Sequence, residues 1–522
     1  MVRLRLAAWL HPNNPPSHVI NTDFIKQNLK PTNELPTTLL EEKKYQPLKY
    51  QIEEVTNDNN NNMVRTPQKK NGPASPAMPP SKMIALAQKI SMETEKVEAY
   101  FKENGLRAPG FDVDSPSDFP KMPDDISRSR REVIHATQEL QDLMVGPRES
   151  VRWMAWDFMG TQSLQLINHY EIAKLVPIEG TITISQLQAK ASIDPINLTR
   201  LLRHAMTNHL FQEPKPGVIA HTAASRLLVE DQALQAWVGF NTEDVYPGSA
   251  HVIDALKAHP DATSLNHTGF NFAFNTVDKE PMFVTLGKDP KRAQRMAQAM
   301  SSLTGGEGYE LSYLTEGLDL SDVDTRGGTL VDVGGSHGFV SMHLAQHYSN
   351  MHFIVQDLPS TIASAPQPIC ANSQVAKRIR FQAHDFFQAQ PVHGADVYFF
   401  RWIMHNYSTP YAVQILKNLI PALKPGARII INDHCLSETG VENPWDERLM
   451  RSMDLVMMTL LNAQEREEGD FRKLFEMAGD GFVFKGVTRP KGCRMSIIEA
   501  VWKPDEVDVS SVTEDLSKLA PQ

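Results

Sequence analysis

Leu330-Val331-Asp332-Val333-Gly334-Gly335-Ser336-His337-Gly338 is a short apolar run that passes directly into a glycine-rich turn. Without side chains at Gly334, Gly335 and Gly338, the turn can adopt positive φ and let a ligand approach the main chain. The helix predicted next, over Phe339–His347, presents unpaired N–H groups at its start. From this point the chain alternates strand and helix, with strands predicted near 329–333, 352–356, 379–383, 395–400, 427–432, 482–488 and 494–501. That pattern gives an α/β fold, a seven-stranded, doubly wound, Rossmann-like sheet. Arg489-Pro490-Lys491-Gly492 is short enough to join the last two strands as an antiparallel hairpin. Turns of this kind serve several nucleotide-like ligands, so residues after the other strands must decide among them.

With 522 residues the chain exceeds one typical core, and two folded domains plus irregular sequence are expected. It contains no apolar run of about 18 residues that could span a bilayer. The basic and apolar stretch from Met1 to Leu10 is shorter than a signal peptide and has no small-residue cleavage pattern. Cys370, Cys435 and Cys493 are too few and too scattered for a disulfide framework or a cysteine-based metal site, which suits a reducing cytoplasm. A formal net charge of −10 gives no general attraction to nucleic acid or to an anionic membrane. No metal, nucleic-acid or membrane partner is expected.

Residues 1–81 include an asparagine-rich stretch and the proline-rich Pro73–Pro80, a composition that reads as a disordered arm. Residues 82–240 read as a mainly helical domain. It starts with a helix over 83–106, followed by a polar link over 107–128 and a helix over 131–144. An apolar helix is predicted over 164–176, a capping box at Ser185/Gln188, and a third helix opened by Asp194-Pro195. The hairpin Leu210–Glu213/Val218–His221 around Pro214–Gly217 completes a winged helix. Its would-be recognition helix offers Arg200, Arg203 and His204 among apolar residues, which favours folding and dimer contacts over DNA. A helical connector over 241–325 precedes the 326–503 domain, and 504–522 form a tail.

Ligands of doubly wound sheets sit outside the carboxyl ends of the strands. After the second strand comes Asp357, placed where an acid can accept hydrogen bonds from ribose hydroxyls. After the third comes Asp385-Phe386, a carboxylate for an adenine amino group beside a ring that can pack on the base. Together they suggest an adenosine pocket without a second nucleotide half. The fourth strand leads into Arg401-Trp402-Ile403-Met404-His405-Asn406-Tyr407 and the fifth into Asp433-His434.

With Val331–Gly335, Phe353–Pro359 and Arg401–Tyr407 in that order, the chain resembles the S-adenosylmethionine-dependent O-methyltransferases of the class I fold. The likeness is to the plant caffeic-acid type and its fungal relatives that methylate aromatic polyketide hydroxyls. It extends from near residue 160, through Phe270–Asn275 and Asp289-Pro290, to the strand ending near 501. The resemblance implies S-adenosylmethionine as cofactor, an aromatic small-molecule acceptor and a homodimer. Gly334 and Gly335 would line the methionine portion, Asp357 with Leu358 the ribose, Asp385 and Phe386 the adenine, and Arg401 the far end of the cofactor. His405 would be the base, Asp433 and Glu465 would steady its imidazole, and Met457 and Asn462 would line the acceptor pocket. Read without the resemblance, Glu465 belongs to a charged run that is usually a solvated face, and Met457 to the core of an apolar helix. The sequence departs from the family pattern at Ser336, where many relatives carry a third glycine, and at Asn406, where many carry Asp. The alternative function is a non-catalytic, methyltransferase-fold interaction protein of a biosynthetic pathway.

Overall fold

A computed structural model describes residues 81–504. The arm expected over 1–81 and the tail expected over 504–522 therefore lie, but for one residue each, outside the described residues. The large sheet consists of β1 (Thr329–Val333), β2 (His352–Asp357), β3 (Ile379–Ala383), β4 (Val397–Arg401), β5 (Arg428–Asp433), β6 (Phe482–Thr488) and β7 (Ser496–Trp502). Its order is β6-β7-β5-β4-β1-β2-β3, and β7 runs antiparallel to both neighbours. All seven strands fall within two residues of the expected positions.

The continuous apolar runs have a simple cause: both faces of the sheet are covered, so alternate residues enter different cores. Val331, Val333, Tyr398, Phe400, Ile429 and Ile431 pack on one face with Leu416, Phe471 and Phe475. Leu330, Val397, Phe399 and Ile430 pack on the other with Leu344, Phe353 and Leu318. The chain reverses its direction of winding between β1 and β4, so a crevice opens outside their carboxyl ends, and this is where α/β sheets bind ligands.

Upstream, the Lys82–Glu103 helix packs along the Asp124–Val145 helix. The latter starts inside the expected polar link, because extended Pro123 precedes it and Asp124 and Asp125 suit the positive end of a helix dipole. The apolar helix expected over 164–176 is two helices, Phe158–His169 and Ile172–Leu175, broken at Glu171 with φ 50°. The capping box lies two residues earlier than expected, as Thr183 and Gln186. Asp194 caps the Pro195–Met206 helix as anticipated, accepting from the Asn197 N–H at 3.0 Å. The hairpin Gln212–Lys215/Val218–Ala220 gains a third strand, Ile182–Thr183.

Leu198, Leu202 and Ala205 of the would-be recognition helix are buried. Arg203 is engaged bidentately by Glu213 at 2.9 and 2.8 Å, and this bond holds the Glu213 carboxyl at about 2. Further on, the Gln232–Phe240 helix continues through a π-helical turn, Asn241–Val245, into Tyr246–Ala250 without a break. Buried Asp244 in that turn is bonded by Arg292 and Arg295.

At the carboxyl edge of the sheet, Cys435–Leu436 pairs in parallel with Arg466–Glu467. Arg466 is 1 % exposed, the bulkiest fully buried side chain among the described residues. Its Nη1 donates to the Met404 carbonyl and its Nη2 to the Tyr407 carbonyl, both at 2.6 Å. One planar fork thus closes the turn after β4, and a lysine, as a single point donor, cannot reproduce it. Arg466→Ala is expected to lower stability by about 3 kcal/mol or more in thermal unfolding, with Arg466→Lys recovering less than half. A native melting temperature in Arg466→Ala would refute this role.

Candidate active site

The turn after β1 is shaped by what lies beneath it. Gly334 has φ 74°, and a Cβ there would meet Ile403 Cδ1 at 2.5 Å. A Cβ on Gly335 would lie 2.6 Å from the Asp332 carboxyl carbon. Asp332 is fully buried, accepts from Ser341 Oγ at 2.7 Å, and is pushed up by burial to about 6. Ser336, in the place of a further glycine, takes the left-handed region at φ 51°. Its N–H donates to Asp357 Oδ2 at 2.9 Å, which offsets part of the cost of that conformation.

Asp357 ends β2, half-buried, and its Oδ1 accepts from the Leu358 N–H at 2.8 Å. Leu358 is 52 % exposed beside it. Asp385, after β3, accepts from the Phe387 N–H at 3.0 Å. Phe386 and Phe387 meet Tyr407 edge-to-face at centroid distances of 5.7 and 5.3 Å. Phe386 also reaches toward the space above Gly334. These features fit an adenosine-bearing cofactor: a side-chain-free loop, two half-buried carboxylates at neighbouring strand ends, and an aromatic wall. Arg401, at the end of β4, donates to Asn432 Oδ1 and to the Tyr309 carbonyl at 2.9 Å.

The turn from Trp402 to Tyr407 carries His405. Trp402 has φ 56°, an uncommon conformation for a bulky residue. Asn406 Nδ2 donates to the Trp402 carbonyl at 2.8 Å, a bond that an ionised Asp could not make and that accounts for the departure at this position. The Trp402 ring lies 4.9 Å from His405 and 4.8 Å from His434, centroid to centroid.

His405 is 7 % exposed, and its ring and main chain are both held by acids. Nδ1 lies 2.9 Å from Glu465 Oε1, and the His405 N–H donates to Asp433 Oδ2 at 3.1 Å. Glu465 is no solvated residue: it is 5 % exposed, and its N–H donates to Asp454 at 2.8 Å. Burial acts to raise the Glu465 carboxyl, but the charge and hydrogen bond of His405, together with His434 beside it, outweigh it and hold it at about 2. Burial likewise opposes a charged His405, yet attraction to Glu465 raises the ring above its ordinary value. Burial pushes Asp433 up. An ionised Glu465 only accepts, so Nδ1 carries the proton. Nε2, which has no hydrogen-bond partner among the described residues, is left with its lone pair, the arrangement of a general base.

Met457, 7 % exposed, sits in the core of the Pro444–Leu461 helix with Phe270 and Leu460. Asn462 ends that helix at φ 49°, and its amide donates to the Ser264 carbonyl at 2.8 Å. Ser408 Oγ donates to the neighbouring Thr263 carbonyl at 2.8 Å, so the 263–264 segment is tied to both sides of the His405 turn. Four residues beside this site were given no role from the sequence. Trp402 and His434 come directly after strands and were within reach, Arg466 hides in the charged run, and Tyr309 comes from the connector without any local signal. No group of three or more His, Cys, Asp or Glu residues among the described residues is arranged to hold a metal.

Residues 261–482 match the O-methyltransferase domain family. The chain is 58% identical over 442 residues to a chlorophenol O-methyltransferase of Trichoderma longibrachiatum, covering 85% of this chain and 94% of that protein. It is 37% identical to the grayanic acid biosynthesis cluster O-methyltransferase of Cladonia grayi, over 81% of this chain and 89% of that one. Among solved structures it is similar to OxaC in complex with SAH and oxaline, with TM-score 0.59, 25% identity, and coverage of 81% of this chain and 100% of that one. With this fold and these relatives, the chain belongs to the S-adenosylmethionine-dependent O-methyltransferase family.

Proposed function

We propose that the acceptor is the hydroxyl of an aromatic secondary metabolite, of phenol or polyketide type, and that His405 is its general base. The observation that carries this reading is the 2.9 Å contact of His405 Nδ1 with a buried, ionised Glu465, which leaves Nε2 open beside the crevice after β1 and β4. The name of the Trichoderma longibrachiatum relative supports a phenolic acceptor.

A phenol with pKa of about 10 is mostly protonated near neutral pH and is a poor nucleophile in that form. His405 Nε2 accepts the proton as the oxygen attacks, and Glu465 stabilises the imidazolium that forms. Asp433 holds the main chain of the turn that carries the base. Bound S-adenosylmethionine supplies a methyl group activated by its sulfonium. Gly334 and Gly335 admit its methionine portion to the main chain, Asp357 with Leu358 receives the ribose, and Asp385 and Phe386 receive the adenine. Arg401 braces β4 against β5 and the Tyr309 segment at the far end of that site. Asn462 borders the acceptor side, and Met457 backs it from the core through its packing with Phe270 and Leu460. The exposed Val151, Trp153, Met154 and Trp156 suit burial against a second copy in a homodimer. The three free cysteines suit a reducing, cytoplasmic setting, and no helix among the described residues is long and apolar enough to cross a membrane.

His405→Ala should bind S-adenosylmethionine normally in calorimetry and lose turnover of a phenol by ~10²- to 10⁴-fold. Wild-type turnover in that variant would eliminate the base assignment. Because a base must be neutral to act, kcat/KM should rise with pH through the raised His405 value, so its acid limb lies above the ordinary pKa of about 6.5. Glu465→Gln removes the attraction and leaves burial, so the limb should move to lower pH while the plateau falls; an unmoved limb contradicts the pairing. Asp357→Ala should weaken S-adenosylmethionine binding by roughly tenfold or more with little change in kcat at saturation. An unchanged cofactor affinity would remove Asp357 from the ribose site.

A further inference from the structure

Glu465 faces two imidazoles. His434, the residue after β5, is fully buried, and its Nδ1 lies 3.6 Å from the same Oε1 atom that His405 Nδ1 reaches at 2.9 Å. On its other side, His434 Nε2 lies 3.2 Å from Tyr309 Oη, itself on a side chain only 2 % exposed. A nitrogen lone pair pointed at a carboxylate oxygen would be repelled, so the proton of His434 sits on Nδ1. Nε2 then accepts, and the Tyr309 hydroxyl donates to it. The result is a fixed chain of groups: Tyr309 Oη to His434 to Glu465, with His405 on the same carboxylate oxygen.

At 3.6 Å the contact of His434 with Glu465 is too long for a hydrogen bond but close enough for a strong electrostatic effect in a site shut off from water. We propose that His434 is a positioning residue for the methyl transfer, drawing on the Glu465 charge at the same oxygen that His405 contacts and so limiting how strongly Glu465 favours the imidazolium. This inference rests on His405 being the base. Its sign does not depend on whether His434 is neutral or charged. A neutral N–H dipole shares the carboxylate's negative charge, and a cation would also repel a proton on His405. Removing either leaves Glu465 to His405 alone, which makes that base harder to deprotonate.

The other charged and titratable groups facing this chain belong to several elements. Asp433 is on the His405 N–H, Asp454 is on the Glu465 N–H, and Arg466 lies beneath the turn. Arg494, from the β6–β7 hairpin, stands 5.6 Å over the Tyr309 ring and is 3.4 Å from Asp446. None of these is altered by a substitution at His434, so a shift in the pH profile reports on the His434 contact.

Two amide side chains separate the two ends of the ring. Asn places its amide near Nδ1 and keeps a donor toward Glu465, whereas Gln places it near Nε2 and keeps only the Tyr309 side. The experiment is the pH dependence of kcat/KM across about pH 5 to 9 for the full chain and for His434→Phe, His434→Asn and His434→Gln, with a phenol acceptor. The acid limb should move up by about 0.5 to 1 unit in His434→Phe and His434→Gln, and stay near wild type in His434→Asn. At a pH below the limb this is roughly a three- to tenfold loss that disappears on the alkaline plateau. Uniform losses at every pH, with the limb fixed in all three variants, would overturn the proposal and leave His434 a packing residue. If His434→Phe does not fold, the Asn and Gln pair makes the same comparison. The Glu465→Gln profile tells the two ideas apart. If it moves the limb down while His434→Phe leaves it fixed, only the role of His434 fails; if it too leaves the limb fixed, the base reading has failed first.

Discussion

Keeping one carboxylate ionised inside the protein is the constraint around which the catalytic edge is arranged. Stripping water from a carboxylate costs several kcal/mol unless positive partners replace it. Three acids, Asp433, Asp454 and Glu465, are gathered around the turn that carries His405. Burial pushes the first two up, whereas Glu465, nearest the imidazoles, is held low. The acid held low is the one that touches Nδ1 of His405. Arg466, whose burial brings it down only to about 10, supplies the compensating fixed positive charge and spends its hydrogen bonds on the turn that carries the base.

The methyl-donor side and the base side share a wall. Ile403, two residues before His405, fills the space a Cβ on Gly334 would need, and Phe386 approaches the same spot. The glycine is required as much by this packing as by the ligand it admits. A shift in the glycine turn therefore presses on the turn of the base, and alignment of an in-line displacement depends on the distance between those two turns.

The sheet was legible because its inner strands are buried on both faces and bounded by turn residues, so runs such as Val397–Phe400 allow few other readings. The carboxyl-edge residues were legible for the same reason, since a strand end, once located, also locates the side chains just beyond it. Boundaries failed where a local signal had a competitor. Thr183 took the cap that Ser185 also offered, and Glu171 broke an apolar stretch that periodicity alone would continue. The Glu465–Glu468 run looked like a solvated face because composition does not report depth: Glu465 and Arg466 point inward, while Glu467 and Glu468 are exposed. Tyr309 was beyond reach, as it meets His434 only through contact across 125 positions of chain.

The ties from Ser408 and Asn462 to the connector end on the main-chain carbonyls of Thr263 and Ser264, not on their side chains. Every amino acid carries that carbonyl, so the attachment is indifferent to which residues stand at 263 and 264. The border of the catalytic crevice can thus be rewritten one residue at a time, by drift or by design, while the strut that holds it to the base stays in place.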